Sequence, residues 1–400
     1  MENNKVPGPD GIPAEFFKAL FKPIYSSSSM TDSNAENTYS DCARCLFILF
    51  NKIWNGDFLS NWNSASIVSI PKKGDLSDCR SISLINVGLK ILSKISTNKI
   101  SIYAKSHGFI RLEQFVFKNK KECISLFISI FETCQRRKFQ GKFSYLAFLD
   151  LKKAFNSVPI FNILTKLYNI GIHGNYLHFL KNPYLTSKIC AYVNCQLSYE
   201  FPIHRGVQQG CPLSPILFNI FINDILNNCD KYGVNISRKR CCGGLFADDV
   251  VFIAPSKPCL RILLNKVHEW DIRNEMTFGI NKCATMVVKP LNFISPPNLV
   301  DPTFYLGLHP LPKTSQYIYL GVPFDESLEL KPIVSMLNRK INHKVNSYFC
   351  LLTNKYVPLY LKTRITVSYV LSTVIYYAPL FGSNKSNTKK AQTALNRGMF

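Results

Sequence analysis

Acidic residues are scarce in this chain. Only 25 Asp and Glu stand against 48 Lys and Arg, for a formal charge of +23 over 400 residues. An excess that large costs self-repulsion, so it argues against a merely basic globule and for a polyanionic partner, nucleic acid first and an acidic membrane surface second. Long apolar runs are also missing. The longest, Tyr369–Phe381 and Cys45–Phe50, fall short of the ~20 residues a spanning helix needs, so no membrane partner is expected. The opening Met-Glu-Asn-Asn-Lys has no apolar core of a secretory signal, which predicts an intracellular protein, nuclear or cytoplasmic. Paired cysteine motifs are nearly absent although the chain has 14 cysteines. The one CxxC, Cys42 and Cys45, has no second pair at zinc spacing. It heads an apolar helical run (Leu46, Phe47, Leu49, Phe50, Ile53), so both are expected as reduced core thiols. Apolar residues make up 46%, which excludes a disordered chain and suits one large multi-lobed domain or two to three small ones.

Gly and Pro punctuate the first 22 residues, and the Ser/Asn/Thr-rich stretch 26–41 reads as a flexible insertion. Helices are expected near 42–55, 84–105, 122–138, 159–181, 214–228 and 260–276. Strands are expected at 65–70, 144–149, 243–246, 250–254 and 284–288, and the segment after 325 reads as mostly helical and basic. Strands interleaved with helices of unequal length predict an α+β fold rather than a regular βαβ series.

Four patterns carry chemistry. Leu245-Phe-Ala-Asp-Asp-Val-Val-Phe252 sets two adjacent carboxylates, Asp248 and Asp249, between apolar half-strands. A surface hairpin turn is the bland alternative; burial there without a counterion would be costly. Asp150 ends a second apolar strand, Tyr145–Leu149, and two strands delivering carboxylates to one edge make a hard-oxygen site suited to Mg²⁺. Arg205-Gly-Val-Gln-Gln-Gly-Cys-Pro-Leu-Ser-Pro215 forces a defined loop before a helix, with small residues that let backbone approach a flat ligand. Ile70-Pro-Lys-Lys-Gly-Asp75, with Arg80 downstream, clusters cations suited to a triphosphate; a solvated basic turn is the alternative.

In order, these blocks resemble the reverse transcriptases of non-long-terminal-repeat (LINE-type) retrotransposons. The resemblance also takes in Lys5-Val-Pro-Gly-Pro-Asp-Gly-Ile-Pro13, Trp62 to Asp75, Arg80-Ser-Ile-Ser-Leu84, Phe148-Leu-Asp-Leu-Lys-Lys-Ala-Phe155, Asn281-Lys282 and Tyr319-Leu-Gly-Val322. It implies an α+β right-hand polymerase with fingers, a palm whose antiparallel sheet carries an Asp-Asp hairpin, and a helical thumb. The implied divisions are 1–53 as an N-terminal fingers extension, 54–322 as the reverse transcriptase domain and 323–400 as a truncated thumb-like region. The implied activity is RNA-directed DNA polymerisation with an RNA template, a DNA primer and deoxynucleoside triphosphates. Two Mg²⁺ ions, with Mn²⁺ as a second candidate, would be held by Asp150, Asp248 and the carbonyl of Leu151, with Asp249 beside them. Phe155 would exclude a 2′-hydroxyl, and Gln209 and Gly210 would line the nucleotide pocket. Lys72, Lys73 and Arg80 would hold the triphosphate, and Lys282 would protonate pyrophosphate. Tyr319, Leu320 and Gly321 would support the primer. The family pattern departs at Ser81, Val116 and Asn156, where it has Pro, Gly and Asp; Val116 would replace a residue of special backbone angle. The chain opens inside the first block and stops in thumb-like sequence, which suggests a truncated copy. A decayed copy that only binds nucleic acid, and a group II intron-type maturase, are the alternatives. The basic runs Lys118/Lys120/Lys121, Arg136–Lys138, Arg238–Arg240 and Arg339/Lys340 are expected to contact phosphates.

Overall fold

Tyr145 to Leu149 is apolar at every position, which suits only a strand covered on both faces. In the computed structural model, Ser144–Asp150 is that strand, buried except at Asp150. The structure describes residues 2–21, 41–57, 62, 64–72, 75–116, 122–185, 187–193, 196–236, 239–294, 296, 300–381, 389 and 392. It divides into two units, one made of Met1–Arg111, Lys152–Asp224 and Ile272–Met276, the other of Leu112–Leu151, Ile225–Asp271 and Thr277–Phe400.

In the second unit the central strand lies between Ala284–Val288 and Asp249–Ala254, and Gly243–Phe246 follows at the edge, giving a four-stranded sheet among the described residues. All its pairings are antiparallel. Successive side chains alternate between faces. One face therefore presents Leu146 and Phe148, Val251 and Ile253, and Met286 and Val288 to a common core. That core takes in Ile124, Phe127, Ile130 and Phe131 of the helix Cys123–Phe139. It also takes in Tyr319, Val322 and Phe324 of the hairpin Gln316–Tyr319/Val322–Asp325, and Ile333, Leu337 and Ile341 of the helix Lys331–Ser347. Val370, Tyr377, Leu380 and Phe381 complete it, so the late helical segment shares the sheet's core.

In the first unit Ser64–Lys72 pairs antiparallel with Asp75–Ile85 and parallel with Lys188–Val193. The helix Val87–Ser106 buries Leu89, Leu92, Ile100 and Ala104. Ser214–Ile222 is apolar nearly all round, and it is buried from Ile216 to Ile222.

The expected strands at 65–70, 144–149, 243–246, 250–254 and 284–288 are all present. The long helix expected over 159–181 is instead two, Ile160–Asn169 and Gly174–Leu185. At the break the Tyr103 hydroxyl donates to the Ile170 carbonyl (3.0 Å). Asp75–Ile85 and Lys188–Val193 are strands that periodicity did not reveal. Of the 26–41 stretch, residues 26–40 lie outside the described residues, and Asp41 begins the helix Asp41–Trp54. Cys42 and Cys45 are exposed, against expectation. The helix buries Ala43 and Ile53 and half-buries Leu46 and Phe50, a spacing of three, four and three that leaves both cysteines off the packed stripe. No helix among the described residues is long and apolar enough to cross a membrane.

Gly243 fixes the edge strand. Its φ is +153°, and a β-carbon there would lie 1.8 Å from the Val251 carbonyl oxygen. Gly243→Ala should therefore destabilise the chain by more than about 2 kcal/mol. Gly108→Ala, at φ +64° with nothing within 4 Å, should cost only ~1 kcal/mol. Chemical denaturation of the two variants checks the difference; equal losses would refute the overlap.

Candidate active site

The antiparallel register places Asp249 opposite Asp150 on one side and opposite Phe246 on the other. Ala247 and Asp248 form the two-residue turn between the hairpin strands. Such a turn matches the right-handed strand twist when φ is positive at its start, and Ala247 has φ +53°. The Leu151 N–H donates to the Asp248 carbonyl (3.2 Å), which ties the turn to the end of the Asp150 strand. Three carboxylates and the Leu151 backbone thus meet at one sheet end.

Burial, then the Asp248 and Asp150 carboxylates, push the Asp249 carboxyl up to about 7. Each of these influences opposes its charge. Behind Asp150, the Gly279 N–H donates to its carbonyl (2.9 Å). A β-carbon on Gly279 would lie 3.5 Å from Asp150 Oδ2, so the carboxylate rests against bare backbone. The Asp150 N–H donates to Cys283 Sγ (3.5 Å), and burial pushes that thiol up to about 11. The Tyr317 ring stacks on Phe148 at 4.6 Å, and its hydroxyl donates to the Lys282 carbonyl (2.7 Å). Burial and then the Asp249 charge raise the Tyr317 hydroxyl's pKa.

Gly279, Cys283 and Tyr317 escaped the sequence reading, because they reach the carboxylates through strand pairing and loop return rather than through a local pattern. Among the described residues no group of three or more His, Cys, Asp or Glu stands as a finished metal-ligand set. The carboxylates are nonetheless hard-oxygen donors; burial and then mutual repulsion raise Asp249, and a bound divalent cation would offset both.

The other expected site residues are placed as follows. Lys282 is exposed, four residues past Phe278, which bridges to Leu151. Tyr319 is buried at 1% exposure, 5.2 Å from the Phe148 ring. It leads into the Leu320–Gly321 turn, both residues of which have positive φ. In the first unit, half-buried Phe155 stacks on Phe218 at 4.8 Å. The Gln209 carbonyl accepts from the Ser83 N–H (2.6 Å). Gly210, at φ +118°, would bring a β-carbon 2.5 Å from the Ser83 carbonyl. The loop's small residue therefore admits the neighbouring strand's backbone. Arg80 is exposed on that strand, opposite Ile70. Lys72 ends the preceding strand; Lys73 lies outside the described residues. Val116 is buried and is not among the positive-φ residues, so it does not occupy the special backbone angle suspected there.

The basic runs divide: Arg136, Lys239 and Arg339 are exposed, while other members reach oxygens of the chain itself. Arg137 donates to Ser144 Oγ (3.0 Å) and the Phe143 carbonyl (2.5 Å), and Lys138 to the Ser327 carbonyl (2.6 Å). Lys340 donates to the Tyr377 hydroxyl (2.6 Å), and Arg240 to the Lys231 carbonyl (2.9 Å). These cations satisfy the protein's own oxygens. Lys118, Lys120, Lys121 and Arg238 lie outside the described residues.

The family described as reverse transcriptase (RNA-dependent DNA polymerase) matches residues 70–324, which contain all three carboxylates. The chain belongs to the reverse transcriptase family. That membership carries the right-hand polymerase fold class, and the family generally uses divalent metal ions. Among curated proteins, the retrovirus-related Pol polyprotein from a type-2 retrotransposable element of Drosophila melanogaster is 30% identical over 45% of this chain and 17% of its own length. The related type-1 polyprotein of Nasonia vitripennis is 27% identical over 65% of this chain and 25% of its own. The probable RNA-directed DNA polymerase from transposon BS of Drosophila melanogaster is 23% identical over 88% and 40%. The chain thus spans less than half the length of each of these relatives. Among solved structures, apo telomerase from Candida tropicalis covers 90% of this chain and 66% of its own at 10% identity and a TM-score of 0.47. The likeness to retrotransposon reverse transcriptases seen in the sequence is borne out.

The carboxylate cluster gives the reverse transcriptase chain a pH signature. Asp249 has a folded pKa of about 7 against an ordinary 3.8. Between those values the folded chain holds a proton that the unfolded chain has lost. Stability should therefore fall as pH rises from ~4 to ~7, by up to a few kcal/mol, and stay low above. Asp249→Asn should flatten that fall and melt higher than the parent at pH 8 in chelator. Thermal melts at pH 5 and pH 8 check this; a parent that gains stability over that interval, with the variant tracking it, would contradict it.

Proposed function

We propose that this chain is the RNA-directed DNA polymerase of a non-long-terminal-repeat retrotransposon. It would add deoxynucleotides to a primer 3′-hydroxyl on an RNA template inside the cell. The observation that carries the proposal is the pairing of Asp249 with Asp150 beside the Asp248 turn. Asp150 and Asp248, with the Leu151 carbonyl, would hold two Mg²⁺ ions, which supply polarisation of the attacking hydroxyl and neutralise charge on the leaving pyrophosphate. Asp249, paired between Phe246 and Asp150 and with its pKa raised to about 7, would add its charge to the cluster once deprotonated. Lys282 is exposed and would return a proton to pyrophosphate. Leu320 and Gly321 would support the primer end, with buried Tyr319 fixing their turn. Arg80 and the lysines at 72 and 73 would serve the triphosphate, and Gln209 and Gly210 the nucleotide pocket.

Phe155 would select the sugar. A ring against a ribose excludes a 2′-hydroxyl by volume alone. Its stacking on Phe218 supports this reading, because a selective surface must not swing aside.

Primer extension by the purified chain on an RNA template with Mg²⁺ and deoxynucleotides tests the proposal. Asp248→Asn should reduce extension to background and leave template binding nearly unchanged, since it removes a charged ligand and keeps the shape. Full extension by that variant would sink the metal assignment, and template binding without extension by the parent would favour a decayed copy. In the same assay Phe155→Val should raise incorporation of ribonucleotides relative to deoxynucleotides. An unchanged ratio would reduce Phe155 to a core aromatic.

A further inference from the structure

The place of Lys282, the proposed proton donor to pyrophosphate, is fixed by its backbone, which is held from two directions. On one side the Lys282 N–H donates to the Gly279 carbonyl (2.7 Å), and the Gly279 N–H donates in turn to the Asp150 carbonyl (2.9 Å). The Cys283 N–H also donates to the Gly279 carbonyl (3.2 Å), so the 279–283 turn closes on itself. On the other side the Tyr317 hydroxyl donates to the Lys282 carbonyl (2.7 Å). A phenol holds its proton at neutral pH and a carbonyl can only accept, so this bond has one direction.

Packing alone does not account for that hydroxyl. The Tyr317 ring is half-buried and stacks on Phe148 at 4.6 Å, with 15° between the planes. Its partner across the hairpin is Phe324, which meets the same Phe148 ring at 5.6 Å without a hydroxyl. Phenylalanine at 317 would serve the stack equally well. The oxygen adds one thing, a tie from the hairpin Gln316–Tyr319/Val322–Asp325 to the turn that carries Lys282. The tie matters because a lysine ammonium rides on a flexible four-carbon stem. A general acid works only within hydrogen-bond reach of the atom it protonates. For exposed Lys282, the backbone sets where that stem begins.

We propose that Tyr317 is a positioning residue for Lys282: its hydroxyl, bonded to the Lys282 carbonyl, holds the 279–283 turn where the lysine amine can serve the leaving pyrophosphate. The proposal rests on the reading of Lys282 as proton donor. Tyr317 itself touches no reacting atom. The stack makes the tie stiff, because Phe148 lies in the strand that ends at Asp150. Lys282 is thereby referred to the carboxylates by two routes, one through Gly279 and one through Tyr317 and Phe148. The same hairpin carries the Leu320–Gly321 turn proposed to support the primer, so one element would set the primer end and the proton donor together.

The test is single-turnover extension of a primer on an RNA template by the full chain, with Mg²⁺ fixed and the deoxynucleotide varied. Tyr317→Phe keeps the ring and removes the tie. It should slow the saturated rate about tenfold, within the loss that a misplacement of ~1 Å brings, and leave deoxynucleotide affinity and template binding at the parent's values. Lys282→Gln should slow that rate by about a hundredfold. Adding Tyr317→Phe to Lys282→Gln should then bring no further loss, since no amine remains to be placed. A merely structural tyrosine would slow both backgrounds alike, and that result overturns the proposal. So does a Tyr317→Phe variant as fast as the parent; beside a slow Lys282→Gln it leaves the donor reading standing. Lys282→Gln at the parent's rate removes the donor reading and the proposal with it. If the parent extends no primer, amide hydrogen exchange decides. Faster exchange across 280–283 in Tyr317→Phe, with 144–150 unchanged, supports the tie, and unchanged exchange overturns it.

Discussion

Three carboxylates repel one another, and the strand register leaves them little room to part. Asp249 is held between Asp150 and Phe246 by pairing on both sides. Asp248 is held by the turn, whose carbonyl accepts from Leu151. An isolated hairpin would splay or protonate under that repulsion; here the sheet is buried on the Leu146/Phe148 face and cannot yield. Burial first, and then the repulsion of Asp248 and Asp150, therefore surface as a raised Asp249 pKa instead of as a displaced strand. The rest of the second unit can be understood as the packing needed to hold this arrangement.

That packing is aromatic. Phe148, one residue removed from Leu149 and two from Asp150, is flanked by Tyr317 at 4.6 Å, Tyr319 at 5.2 Å and Phe324 at 5.6 Å. All three partners come from one hairpin, Gln316–Tyr319/Val322–Asp325. Rings contribute large buried area with few rotatable bonds, so they resist displacement better than aliphatic chains of equal area. The block Tyr319 to Val322, read in the sequence as primer support, has a packing duty in the structure. It braces the back of the strand that ends in Asp150.

The sequence made the strands legible where apolar runs end in acids, because burial on two faces and a polar terminus leave few alternatives. It made the loop before Ser214 legible through Gly206, Gly210 and Pro212. What it hid was the partner of each special residue. The close approach permitted by Gly210 is to Ser83, more than a hundred residues earlier. The contact of Gly279 with Asp150 likewise depends on a long chain return. Charge was misleading for a similar reason. Arg137 and Lys138 look like phosphate contacts in a chain of net charge +23, yet both end on internal oxygens. Net charge speaks of partners in general; it does not say which cations are free for them.

The turn itself shows how backbone and electrostatics divide the work. Glycine would enter the positive-φ position at 247 without cost, whereas alanine at φ +53° carries a penalty of ~1 kcal/mol. An alanine nevertheless has fewer backbone conformations than a glycine, in the turn and in the unfolded chain alike. With Asp248 next in sequence, that restriction bears on a carboxylate that no strand pairing holds. Asp249 needs no such device, since hydrogen-bonded strands fix it on both flanks. A small non-glycine residue before the paired acids is then the choice that limits motion where the ladder cannot. The same choice keeps the side chain small enough for a partly buried turn, which a β-branched residue at that angle would not satisfy.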